Sequence, residues 1–276
     1  MKTPAPGILL LSAIAFSAHA ADPPTETIFE TPSADRVSLV ELFSSQGCSS
    51  CPPAEAFVSR LEKEPGLWKS FVPVVWHVDY WNDLGWRDAF SDHAHTLRQY
   101  DYLAAGGVAS VYTPGFVIDG REWRGFFQRQ PLPAPGDAAK PGKLRATVAA
   151  GAVRVVFDGN DASAPARRAH IALLGLGFET DVARGENAGR LLRENFVALA
   201  TTSAPLVGGR ATLNLPATDD PKRPRPARTA LAVWVSADRA PEPLQATGGW
   251  LPTTRPDEAA EGDAPEPGAG PSQRKP

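Results

Sequence analysis

Four things are scarce in this 276-residue chain. There are only two cysteines, Cys48 and Cys51. A chain of this size can bury a core without disulfide help, so the pair is not needed as a scaffold. A second C-x-x-C is missing, which weakens a structural zinc reading. Positive charge is short as well: 28 basic against 31 acidic residues give −3, and removing Lys2 leaves 27 against 31, or −4. That balance, with no basic stripe, argues against a nucleic-acid binder. Past residue 21 no apolar run is long enough to cross a membrane. The final 25 residues, 252 to 276, hold no aromatic side chain and are rich in Pro, Glu, Gly and Ala, so a disordered tail is expected.

The N-terminus supplies the compartment. Lys2 starts a short positive region, Ile8 to Phe16 are an apolar core, and Ala18-His19-Ala20 has the small-x-small pattern of a cleavage site. Residues 1–20 therefore read as a secretory signal peptide, with no cysteine beyond it at the cleavage point to carry lipid. The expected product is exported, periplasmic or secreted, where disulfides form and persist.

Proline and glycine mark the segments. A polar, mobile lead-in is expected at 21–35. From 36 to 129 the order is strand ("RVSLVELF"), helix ("PAEAFVSRLEKE"), strand ("FVPVVWHVDYW"), helix (91–103), then a hairpin around Asp119-Gly120. "PLPAPGDAAKPG" makes 130–143 a linker. Short strand-like runs separated by turns fill 144–251 and predict a small antiparallel β domain, a sandwich.

Chemistry centres on "SSQGCSSCPPAE". Closing a four-residue loop contributes only roughly 2 kcal/mol, so the disulfide is a weak staple. A C-x-x-C after a strand and at the opening of a helix gains more from the unpaired N–H groups and the helix dipole, which favour a thiolate. Cys48 is then the nucleophile and Cys51 the resolving thiol. The same spacing also makes half of a metal site, which His93 and His95 could join to hold copper or zinc. Strand alternation sets His77 beside Asp79, either as a thiolate-tuning or proton-shuttling pair or as a satisfied structural histidine. Trp81, Trp86 and Trp123, with Tyr112, either wall a groove or fill the core.

The stretch "VYTPGFVIDG" resembles the thioredoxin superfamily, where such a proline is cis and faces the C-x-x-C. The resemblance implies that Thr113-Pro114 is a substrate platform. It also implies that Glu41, in "VELF", is a buried acid taking a proton from Cys51; a solvated strand-edge glutamate is the alternative. Six blocks, "VELFSSQGCSSCPPAE", "HVDYWNDLGWRDAF", "RQY", "VYTPGFVIDG", "RGENAGR" and "PLQATGGWL", together resemble the exported domain-of-unknown-function family numbered 1223 across residues 37 to 251. Two departures from thioredoxin stand out. Gly47 replaces tryptophan before the first cysteine, and the closing helix is short or missing. Pro52 and Pro53 disfavour the helical conformation at Cys51 and would move the helix start one turn along.

The expected fold class is thus α/β, a thioredoxin-like N-terminal domain followed by a small antiparallel β domain. The expected function is an exported thiol–disulfide oxidoreductase with no cofactor beyond its redox-active disulfide. Its partner would be a thiol- or disulfide-bearing protein or a small thiol. A copper or zinc carrier and a thioredoxin-like scaffold without turnover are the alternatives.

Overall fold

The computed structural model describes residues 26–135, 140–159, 166–217 and 223–252. The expected leader at 1–20 and, beyond residue 252, the expected disordered tail lie outside the described residues. Strand β1 (Thr27–Glu30) leads into β2 (Ser38–Ser44), which is buried along its whole length. A strand covered on both faces reads as a continuous apolar run, as "SLVELFS" nearly does. After the cysteines come α1 (Pro52–Arg60), β3 (Phe71–His77), α2 (His93–Ala104), β4 (Gly115–Ile118) and β5 (Arg121–Glu122). The prolines do not displace α1. Pro52 and Pro53 take its first positions, where a missing N–H costs nothing, and Cys51 is the N-cap at φ −78° and ψ −37°. Asp92 caps α2 by accepting from the Ala94 N–H at 2.9 Å. The β4–β5 turn places Asp119 and Gly120 at φ 49° and 83°, the two positive values of a type I′ hairpin. A 3-10 turn, Gly125–Gln128, stands where a closing helix would be.

The remaining strands are β6 (Leu144–Ala149), β7 (Ala152–Phe157), β8 (Arg167–Leu176), β9 (Phe178–Asp181), β10 (Leu191–Glu194), β11 (Val197–Pro205), β12 (Arg210–Asn214), β13 (Arg228–Ala237) and β14 (Pro243–Trp250). They overturn the expected division into a thioredoxin-like α/β domain and a separate small β domain. One mixed sheet runs β14-β13-β8-β11-β3-β2-β4-β5, and the structure is mostly strand, 42% against 13% helix. The join is β3 to β11, parallel at Val75 and Val197, with the Val75 N–H donating to the Phe196 carbonyl at 2.9 Å. Without β11, the outer edge of β3 would present unpaired backbone groups. The core crosses the same join: Trp76 of β3 meets Trp234 of β13 at 6.2 Å.

A second sheet, β1-β6-β7-β12, covers one face of the β8–β13 region, with Phe157, Leu144 and Val153 packed among Ile171, Val233 and Val235. The lead-in is therefore partly structured, since Thr27 to Glu30 pair antiparallel with β6. The β9–β10 hairpin stands apart from both sheets and sits over α1. Its tip carries "RGENAGR".

Candidate functional site

The cysteines occupy the loop between the end of β2 and α1. Cys48 and Cys51 form a disulfide with Cα atoms 5.4 Å apart. Cys48 has no exposed surface and Cys51 only 1%, while Ser49 and Ser50 between them are exposed. Local bonds shape the loop: the Cys48 N–H donates to Ser45 O at 3.1 Å and the Cys51 N–H to Cys48 O at 3.2 Å. Gly47 fits because any Cβ there would lie 3.1 Å from the Trp81 Cβ.

The "RGENAGR" loop clamps this turn from outside. Fully buried Asn187 donates through Nδ2 to the carbonyls of Gln46 and Cys48, both at 2.9 Å. Its Oδ1 accepts from Arg190 at 2.6 Å. Glu186 accepts from the Ser49 N–H at 3.1 Å, and its bonds to Ser49 hold its carboxyl below the usual range. The sequence singled out this loop without a chemical role for it. Its partners lie about 140 residues away, beyond any local pattern.

Behind the disulfide is a buried polar cluster. In the parallel β2–β3 pair Ser44 lies opposite His77, so both face α1. Asp88 bonds His77 Nδ1 at 2.6 Å and also accepts from the Gln46 and Phe90 N–H groups, both at 2.8 Å. Glu55, one helical turn after Cys51, sets Oε1 3.5 Å from His77 Nε2. Ser44 and His77 are the polar neighbours of the Glu55 carboxyl, and no well-aligned short hydrogen bond joins it to either. Glu194 on β10 accepts from Gln46 Nε2 at 3.0 Å.

The charges follow from that packing. Burial raises the Glu55 carboxyl above its usual range against the pull of His77. Burial also raises Glu194, to about 7, with Glu55 and Asp88 adding to the effect and His77 opposing it. For His77 burial works against the charged form, yet Asp88 and Glu55 carry it up to about 10. Asp88 is held low despite burial by the His77 charge and its hydrogen bonds. An imidazolium–carboxylate pair thus stands beside two carboxyls that retain their protons more readily than exposed ones.

The residues named from sequence are scattered more widely. Glu41 is buried but turns to the opposite face, accepting from Arg98 Nε at 2.6 Å, Trp76 Nε1 at 2.8 Å and the Tyr102 hydroxyl. It is neither a solvated edge residue nor next to Cys51. His77 does lie beside the cysteine strand, but its carboxylate partners are Asp88 and Glu55. Asp79 falls past the end of β3 and bonds Thr96 and His93. His93 and His95 diverge. His93 is exposed, with Nδ1 on Asp79 at 3.0 Å; His95 is buried, with Nδ1 on the His77 carbonyl at 2.9 Å and burial depressing it to about 4. Among the described residues no His, Cys, Asp and Glu groups converge as a metal site. The Thr113-Pro114 bond is cis, and the next residue, Gly115, lies opposite Phe43 near the end of β2, so this loop and the cysteine loop share one end of the sheet. Trp81 Nε1 donates to Thr113 Oγ1 at 2.8 Å, and Trp86 Nε1 to Gln46 Oε1 at 3.0 Å. Trp123 instead packs on Phe57 and Phe116 in the core, and Tyr112 bonds Glu122.

Glu55, Gln46, Asp88, Asn187 and Glu194 were missed. For Glu55 a signal existed: in "CPPAE" it follows Cys51 by four residues, the spacing that shares a helix face.

Cys51, Glu55 and Glu194 meet at a cavity of about 260 Å³, between the start of α1 and β10.

The fold has solved counterparts. The crystal structure of protein AGR_C_4864 from Agrobacterium tumefaciens is 24% identical, aligns over 80% of this chain and 97% of its own, and has a TM-score of 0.52. HBP35 of Porphyromonas gingivalis is 12% identical over 80% of its chain and 84% of this one, again at 0.52. At these identities the likeness concerns the fold alone. No curated protein matches. The family model described as "Protein of unknown function (DUF1223)" matches residues 39–236, and the chain belongs to that family.

Proposed function

We propose that this chain is an exported thiol–disulfide exchange protein in which Cys48–Cys51 is the redox centre and Glu55 handles the proton of Cys51. One juxtaposition carries the reading: a disulfide at the start of α1, with a buried carboxyl one turn on, Glu55, lining the same cavity as Cys51. Export rests on the leader pattern of residues 1–20.

In the exchange an external thiolate attacks one sulfur of the disulfide and the other leaves as a thiolate. A second thiol then displaces the mixed disulfide. The pair gains two electrons and two protons, and the partner ends as a disulfide. Glu55, whose hold on its proton burial strengthens, gives that proton to Cys51 as the sulfur is released and takes it back on reoxidation. His77 is a positioning residue: Asp88 fixes its ring and its Nε2 edge faces Glu55. Glu41 has no part in this route, because its carboxylate is held by Arg98 on the other face.

The test is the rate at which dithiothreitol reduces the disulfide. Glu55→Gln should slow it by about a hundredfold near pH 7, the low end for a positioned proton carrier, leaving far-UV circular dichroism unchanged. An unchanged rate would remove Glu55 from the mechanism. A disulfide that no thiol reduces in the folded wild type would overturn the whole reading.

A further inference from the structure

We infer that the cavity beside Cys51 admits small thiols that carry an ammonium group, and that Cys51 is the sulfur they attack. This rests on the exchange reading above and names its substrate class.

Access argues for it first. Cys48 is fully buried, under a loop tied down by Asn187 and Glu186 and crowded by Trp81. Cys51, by contrast, lines a cavity that it shares with Ser45, Pro52, Glu55, Leu191 and Glu194. At about 260 Å³ this space is below the roughly 300–1,000 Å³ of drug-sized ligand sites. It suits a molecule of a few heavy atoms, not a polypeptide segment.

Charge argues for it second. The Glu55 side chain is 8% exposed, with His77 Nε2 3.5 Å from Oε1 and Ser44 as its polar neighbours in the protein. Glu194 lies on the cavity wall, and behind it Asp88 and His77 offset each other. Arg193, which also lines the cavity, already pairs with Glu179 at 2.9 Å. A carboxylate-bearing thiol would meet the charge that Glu194 carries as pH rises past about 7, and a neutral thiol would offer the cavity's carboxyl oxygens at most a hydroxyl. An ammonium group brings three donors to the Glu194 carboxylate and to the Glu55 carbonyl oxygen.

The chemistry balances without another reagent. The aminothiolate attacks Cys51 Sγ, the S–S bond breaks, and Cys48 leaves as a thiolate within reach of the Ser50 hydroxyl, 3.3 Å away. A second aminothiol then attacks the sulfur of the first. Cys51 leaves and takes the Glu55 proton, giving the aminothiol disulfide and a dithiol protein.

The experiment compares reduction of the intact protein by 2-aminoethanethiol, 2-mercaptoethanol and 3-mercaptopropionate, with rates expressed per thiolate. The expected order is ammonium, then neutral, then carboxylate, with about tenfold between the first two, the size of one charge-assisted hydrogen bond. Glu194→Gln should cut that preference severalfold. Ala56→Phe, at the cavity mouth, should slow all three. Cys48→Ser should capture 2-aminoethanethiol on Cys51 from its disulfide, and Cys51→Ser should not capture it on Cys48. Equal rates for the three thiols, while dithiothreitol still reduces the protein, would overturn the inference and leave the exchange reading standing. So would capture by Cys48 alone, or an Ala56→Phe variant as fast as wild type. A disulfide inert to dithiothreitol would overturn both.

Discussion

Glu194→Gln should stabilise the protein at neutral and higher pH, and only there. The Glu194 carboxyl is almost fully buried and titrates near 7, against an ordinary value of 4.5. Between those two pH values the folded state keeps a proton that the unfolded chain has released. The sign follows: stability falls as pH rises through that window, by 1.36 kcal/mol per unit for a full proton difference. Over 2.5 units the loss is about 3 kcal/mol, complete once pH passes 7. Glutamine does not ionise, and its side-chain oxygen can still accept from Gln46 Nε2 and Thr180 Oγ1, now at 3.0 and 3.2 Å from Glu194 Oε2. The variant should match wild type near pH 4.5 and exceed it by about 3 kcal/mol at pH 8. Urea unfolding at half-unit pH steps with the disulfide intact, followed by the fluorescence of the seven tryptophans, gives both curves. Parallel curves across pH 4.5 to 8 would refute the argument, because they would place Glu194 in a solvated, ordinary setting.

Arg98→Met should cost about 3–5 kcal/mol, since it leaves Glu41 charged and buried, and Glu41→Gln in the same chain should recover part of that loss; denaturation of the singles and the double measures the coupling. Asn187→Ala removes the donor of the buried Gln46 carbonyl and one of the two donors of the Cys48 carbonyl, so unfolding free energy should drop by about 1–3 kcal/mol and dithiothreitol should reduce the disulfide faster. His77→Ala should also cost about 3–5 kcal/mol near pH 6, by leaving Asp88 unpaired. His77 is raised from 6.5 to about 10, so its contribution is complete below pH 6.5 and lost toward pH 10; the gap between variant and wild-type stability should close over that window.

The local part of the fold was legible because local rules dictate it. β2 and β3 announce themselves as β-rich apolar runs, α2 by its helical stretch at 91–103, and the β4–β5 hairpin by Asp119-Gly120. What the sequence could not indicate was that β3 and β11, with more than a hundred residues between them, would lie side by side. Pro73 even reads as an edge signal. Its position two residues before Val75 puts its missing N–H on the edge where Val75 donates to Phe196, and the parallel ladder there is confined to Val75 and Val197. Proline shortened the join without preventing it, and a two-domain reading followed from a pattern that stops at the linker.

The candidate site divides the same way. Cys48, Cys51 and the neighbouring His77 strand are contiguous enough to be found from sequence. The resemblance of "VELF" set Glu41 under the cysteines, but a strand motif does not say which helix covers which face. Arg98 and Tyr102 of α2 decide it. Asn187 and Glu194 reach the disulfide only because β9 and β10 fold back over α1.

The central claim is that Cys48–Cys51 exchanges electrons with thiols, and the reduction potential tests it most directly. Equilibrating the folded protein with glutathione buffers and counting free thiols should give a value between about −120 and −270 mV, the span of known exchange catalysts. A value below roughly −300 mV would mark a structural disulfide and contradict the account.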